Sequence, residues 1–382
     1  MPYTPPRPIT LPSKVQGEEP YTSPVLNLHH QEIRILELLP GGSEHDSTIQ
    51  CKFQKARLVD KPCYVALSYT WGAPAPTREI SLDGNAFTVR NNLYQFLRTY
   101  RSYIDEQKRG SVIRYLWVDA ICINQNDTRE RNHQVALMKS IYSSAHHVVI
   151  WLGQWEDGFD AKGLSEFAYS VSHMDFQSVR SMSTAGFDAI LALLQRQYWS
   201  RIWIVQEVVL AQSITLFYGN WCCDGPQLDW FLLTIENGRS LIIGSSAATV
   251  LRQRRKWHKQ VKGGTSVRKF KTEGFEFYQL LEKYKDMESS DPRDKVYALL
   301  SLTAKDDLEA FSLEADYSKA PFQIYEHLLD AFQKYTLPSH DRMEEFARLL
   351  HHVFGWNYVP EKKDIALTRN LGAIRLWERD LM

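Results

Sequence analysis

The sequence has no excess of charge of either sign, with 45 Lys+Arg against 45 Asp+Glu in 382 residues. Without a net positive field nothing draws the whole molecule to phosphate polymers or anionic lipid, so nucleic-acid binding is not expected. Cysteine is scarce: five residues (Cys51, Cys63, Cys122, Cys222, Cys223), of which the last two are adjacent and poorly placed to bridge each other. That fits a reducing compartment rather than a disulfide framework. No apolar run reaches the roughly 20 residues that cross a bilayer, and the weakly polar stretch 240–251 is short and rich in Gly and Ser. The first twelve residues hold five of the 16 prolines and lack the charged head and apolar stretch of a secretory signal. Residues 1–30 are expected to form a proline-rich arm, and the protein to be cytoplasmic, with no membrane span.

The common catalytic signatures are missing as well. There is no phosphate loop, no Gly-x-Gly-x-x-Gly, no His-Glu-x-x-His and no Gly-x-Ser-x-Gly. No Cys-x-x-Cys occurs, and the neighbouring pairs His146-His147 and His351-His352 point differently on a regular element, so no metal site is expected.

What is present is an alternation of short apolar runs and helical periodicity. Residues 32–39 alternate polar and apolar before Pro40-Gly41-Gly42, as a half-buried strand ahead of a turn would. Runs at 64–69, 116–121, 147–152 and 214–218 read as buried strands. Between them lie a helical region and a helix starting near Asn126, with Asp127 and Glu130 placed as a capping pair. Further helices are expected over 187–197, 199–211, from Gly274, and around 322–332. The order strand, helical region, strand, helix, strand over 64–152 implies a parallel sheet with covering helices. Nine basic and no acidic residues lie between 251 and 271, interrupted by Gly263-Gly264, the pattern of a linker or exposed arm, or of a solvated helix and loop.

Polar groups cluster at the expected carboxyl ends of these strands, where open α/β sheets bind ligands. Ser68, Tyr69, Trp71 and Gly72 follow the first, and Asp119, Cys122 and Asn124-Gln125 the second. Trp71 could stack on a base, Gly72 admit backbone to a phosphate, and Asp119 accept from ribose hydroxyls; the plain alternatives are a core cap and a turn cap. Glu207 is a carboxylate among Ile202, Trp203, Ile204, Val205, Val208, Val209 and Leu210. Burial would raise its pKa, and Trp203 four residues earlier would share its helix face, giving an acid/base group beside an aromatic wall. The alternative is a buried ion pair, for instance with Arg201. Cys122 is a weaker third choice, as a nucleophile without a local His/Asn pattern.

Four blocks, 64–72 (YVALSYTWG), 116–125 (LWVDAICINQ), 130–153 (from ERNHQV to VVIWLG) and 199–207 (WSRIWIVQE), resemble the fungal heterokaryon-incompatibility domain, the HET domain. Downstream, 291–300 (DPRDKVYALL) and 316–318 (DYS) are similar to the segment that commonly follows it. The resemblance implies fungal nonself recognition with growth arrest or cell death. It also implies a distant TIR-like fold, a flavodoxin-like parallel sheet flanked by helices, with an additional mainly helical C-terminal region. In some TIR branches the domain self-associates and hydrolyses NAD with a glutamate in a Ser-x-Trp-Cys-x-x-Glu-like helix. Ser200, Trp203 and Glu207 show a related spacing, with Ile204 in place of the cysteine. Carried over, Glu207 is the catalytic group, and Ser68, Tyr69, Trp71, Gly72, Asp119 and Trp203 bind substrate, with NAD as substrate and no cofactor or metal.

The expected organisation is an arm (1–30), an N-terminal strand region (31–63), the HET (TIR-like) domain (64–220), a mainly helical extension (221–335) and a tail (336–382), in which no motif is found. Many family members continue further, so the chain reads as a shortened one. Two functional readings stand: an enzyme acting after self-association, and a noncatalytic assembly module whose signalling partner executes the response.

Overall fold

The computed structural model describes residues 21, 24–41, 48–106, 113–155, 161–172, 177, 182–236, 245–262, 274–336 and 339–356. Most of the proline-rich arm, 263–271 of the basic stretch, and 337–338 and 357–382 of the tail lie outside them.

The strands are β1 (Glu32–Leu38), β2 (Gln50–Arg57), β3 (Val65–Tyr69), β4 (Thr77–Leu82), β5 (Asn85–Arg90), β6 (Tyr115–Trp117), β7 (His147–Trp151), β8 (Ile214–Tyr218) and β9 (Trp221–Asp224). They form one nine-stranded sheet in the order β5-β4-β2-β1-β6-β3-β7-β8-β9. β6, β3, β7 and β8 pair in parallel. The fold is therefore α/β, but the expected parallel sheet is corrected to a mixed one. β1 runs antiparallel to β2 and β6, β4 to β5, and β8 to β9. Short connections at both margins make hairpins, which can only be antiparallel. The sheet crosses the expected boundaries at 63/64 and 220/221, since β1, β2 and β9 belong to it.

The helices are α1 (Asn91–Glu106), α2 (Asp119–Cys122), α3 (Thr128–Ser144), α4 (Ala161–Ser172), α5 (Thr184–Leu194), α6 (Ile204–Val209), α7 (Gly225–Glu236), α8 (Ser246–Lys262), α9 (Phe277–Tyr284), α10 (Asp294–Leu300), α11 (Lys305–Phe311), α12 (Pro321–Thr336) and α13 (His340–Phe354). Side chains alternate across a strand, so paired residues declare which helices cover which face. Trp151 is paired with Tyr69 and Phe217. On that face Phe96 and Tyr100 of α1 meet Trp151 and Phe217 edge-on, at 5.8 and 6.2 Å. The other face carries Ser68, Ile150 and Trp117. There Tyr142 of α3 meets Trp117 edge-on at 5.6 Å.

β1 differs from the half-buried strand expected, because it is covered almost throughout. Arg34 is 1% exposed and forms a two-pronged pair with Glu130 of α3, at 2.5 and 3.1 Å. It also donates to the Cys122 and Pro24 carbonyls. The capping pair is consequently only half formed. Asp127 accepts from the backbone N–H of Arg129 and Glu130, whereas the Glu130 carboxylate turns to Arg34 and to the Asn124 N–H at 2.7 Å. The basic stretch is not an arm as far as residue 262. It is part of α8, with Leu251, Gln253 and Arg254 buried. α9 buries Phe277, Leu280, Leu281 and Tyr284, as their spacing requires.

Candidate functional site

In chain order the four parallel strands lie 2-1-3-4 across the sheet, since β6-β3-β7-β8 are neighbours. The chain leaves β3 towards β6 and then crosses to β7 on the other side. The crevice beyond the carboxyl ends at such a reversal is where α/β sheets place ligands.

Ser68 and Tyr69 end β3 and face opposite sides of the sheet. Ser68 is fully buried, and its Oγ–H donates to Glu207 Oε2 in a short hydrogen bond. Because that proton is committed, the 2.6 Å contact with Tyr198 has the tyrosine donating. A chain of hydroxyls therefore runs from Tyr198 through Ser68 to Glu207. Glu207 is 3% exposed. Burial pushes its carboxyl up from the ordinary 4.5 to about 7, against the downward pull of the Arg201 guanidinium and the Ser68 hydrogen bond. The Tyr142 hydroxyl, which donates to the Leu67 carbonyl at 3.1 Å, also lies against this carboxylate.

The expected single helix over 199–211 is broken. Residues Gln197–Ser200 form a 3-10 turn, Arg201 is extended, and α6 begins at Ile204. The break points Arg201 back at the sheet, where it donates to the Tyr69 carbonyl. It acts on Glu207 through space, as it does on Asp119, without a direct ion pair to either among the contacts of the described residues.

Asp119 opens α2. Its carboxylate accepts from Trp71 Nε1 at 2.8 Å and from the Ala120 N–H at 2.7 Å, and the Tyr69 hydroxyl lies against it. Burial nevertheless moves its pKa upward, with Arg201 opposing. Trp71 is thus tied to Asp119, and Arg90 lies 5.3 Å from its ring centroid while donating to the Gly72 carbonyl. The cap reading of Trp71 and Asp119 accounts for these bonds, and the pair still lies just beyond the carboxyl ends of β3 and β6. Gly72 has φ +72°, and a Cβ there would stand 3.1 Å from Asn92 Cβ, so the turn requires glycine. Asn92 ties the two strand ends by donating to the Thr70 carbonyl and accepting from Trp151 Nε1 at 2.9 Å.

Of the residues singled out, Ser68 and Glu207 touch, Tyr69, Trp71 and Asp119 form a second group, and Arg201 lies between the groups. Gly72 lines the turn. The Trp203 indole lies against the Asp294 carboxyl, and its carbonyl accepts from the Glu207 N–H at 3.3 Å. Tyr198, Tyr142 and Asn92 were not foreseen; their roles depend on contacts 130, 75 and 59 residues away in sequence. Cys122 is fully buried with its thiol pushed up to about 12, which makes it packing rather than a nucleophile. Among the described residues no group of three or more His, Cys, Asp or Glu could hold a metal ion. Nor is any described helix long and apolar enough to cross a membrane.

Residues 64–207 match the family model described as Heterokaryon incompatibility protein (HET). The chain is 41% identical over 140 residues to "Heterokaryon incompatibility protein 6, OR allele" of Neurospora crassa, an alignment covering 35% of this chain and 20% of that relative. The chain thus spans about a fifth of the length of the curated relative it matches. No solved structure matches it.

Proposed function

We propose, from the premise that the chain carries a fungal heterokaryon-incompatibility (HET) domain at 64–207, that it acts in nonself recognition leading to growth arrest or cell death, and that it does so by cleaving NAD after self-association. The observation that carries this reading is a carboxylate held near neutrality, Glu207, hydrogen-bonded by Ser68 beside Arg201 at the strand reversal. Paired groups with separated ionisation are the usual equipment of acid/base sites.

In the reaction the bond between ribose C1′ and the nicotinamide nitrogen breaks, and its electron pair leaves on the ring nitrogen. Ionised Glu207 stabilises the ribosyl cation and takes the proton of the water that attacks C1′. Tyr69, Trp71, Gly72, Asp119 and Trp203 belong to the nucleotide crevice, with no cofactor or metal required. The 2-1-3-4 order of the parallel strands supports a TIR-like, flavodoxin-like core. Free thiols at all five cysteines support a cytoplasmic setting.

A second reading rests on burial. Ser68 and Glu207 are 0% and 3% exposed, as expected of a module whose polar cluster only shapes an assembly surface for a signalling partner. NAD loss by concentrated protein, wild type against Glu207→Gln, with circular dichroism showing both folded, separates the two. Turnover by wild type alone supports the enzyme. Equal turnover removes Glu207 from the mechanism, and none in either protein favours the module.

A further inference from the structure

The segment that carries Glu207 is gripped by residues C-terminal to the matched stretch. At its start Glu288 pairs with it through backbone, donating to the Ser200 carbonyl at 2.6 Å and accepting from the Ile202 N–H at 2.9 Å. The Ser200 hydroxyl also donates to Glu288 Oε2 at 2.7 Å. Gln206, one residue before Glu207, accepts from the Ser301 hydroxyl at 2.6 Å. Beyond α6, Arg254 donates to the Ala211 and Gln212 carbonyls, and His258 donates to Ala211 as well.

Between these grips lies the Asp-Pro-Arg-Asp motif. Asp294 accepts from the Tyr317 hydroxyl at 2.6 Å, and the Trp203 indole lies against the same carboxyl. The Tyr317 ring has the Arg131 guanidinium of α3 at 4.2 Å and that of Arg293 at 5.2 Å. Arg293 is itself fixed by Asp291 and by the Tyr317 and Lys319 carbonyls. The two downstream sequence blocks, 291–300 and 316–318, therefore meet on Trp203, four residues from the carboxylate that Ser68 closes off.

We propose that Asp294 is a positioning residue for Glu207: by holding Trp203 and Tyr317 together it latches the 200–207 segment closed, and release of the latch opens the Glu207 carboxylate to ligand. The latch gives the downstream motif a role as a gate on the site. Its meaning for turnover rests on the enzymatic reading above, but the latch itself is a property of the fold and is read without NAD.

Asp294→Ala and Tyr317→Phe are compared with wild type by amide hydrogen exchange and by 13C titration of the Glu207 carboxyl. For Asp294→Ala, exchange over 204–209 is expected to quicken about tenfold, the equivalent of one buried hydrogen bond to a charged group, with β3 and β7 unchanged. The Glu207 midpoint is expected to fall from about 7 towards the ordinary 4.5 as water reaches it. Asp294→Asn, which keeps one acceptor oxygen, should restore part of both effects, and Tyr317→Phe serves in place of Asp294→Ala if the alanine variant does not fold. Exchange unchanged over 204–209, exchange raised equally in β3 and β7, or an unmoved Glu207 midpoint would each overturn the proposal. A protein that passes this test and fails to turn NAD over keeps the latch and loses the enzyme.

Discussion

Two buried glutamates stand near the carboxyl ends of the central strands, and they are held in opposite ways. Glu130 faces Arg34 with both oxygens and takes a backbone N–H besides. Glu207 faces a serine hydroxyl, while the nearest guanidinium, that of Arg201, donates to the Tyr69 carbonyl. The first arrangement gives both carboxylate oxygens a guanidinium partner and ties β1 to α3. The second leaves a carboxyl whose proton is exchangeable near pH 7. Burial alone therefore does not tell the two carboxylates apart; the kind of partner does.

The largest effect should come from breaking the first pair. Arg34→Met leaves Glu130 buried and uncompensated, and should lower unfolding stability by about 3–5 kcal/mol in urea titration. A loss below about 1 kcal/mol would mean that the two glutamates are not held differently.

The second test compares Glu207→Gln with wild type across pH. An acid whose folded pKa is raised binds its proton more tightly in the native state, so ionising it opposes folding. Wild-type stability should fall relative to the variant as pH rises from 4.5 to about 7, and the gap should then stay level. It should grow by about 3 kcal/mol over that window. A gap that is flat across it would show that Glu207 is ionised like any surface carboxylate.

Ser68→Ala removes a hydrogen bond that favours the charged form. The Glu207 midpoint should move upward by about one unit, read by 13C titration. The smallest effect belongs to the exposed pair Lys305 and Glu309, 3.5 Å apart with side chains 80% and 68% exposed. Lys305→Ala should alter stability by no more than about 0.5 kcal/mol.

The sequence made parts of both regions readable. β3, β7 and β8 are continuous apolar runs, which only a strand covered on both faces tolerates, and their limits fall close to expectation. Glu207 stood out because its neighbours are apolar. Arg34 did not, because the residue that permits its burial is 96 positions away. The β4–β5 hairpin left a local trace, Asp83-Gly84 between two strands, both at positive φ (51° and 84°), which is a two-residue turn signal. The break before α6 left none. It is imposed by pairing with Glu288, whose position only the assembled fold supplies.

The strand order carries a last consequence. Of the nine strands, β3 to β7 lie within 64–207. They are not contiguous there: β4 and β5 reach the centre only through β2 and β1, which precede residue 64. Cut out by itself, the shared stretch would be a three-stranded remnant and a detached hairpin. The stretch that matches the family model is thus smaller than the unit that can hold its own sheet together, and residues on both sides of it complete that sheet.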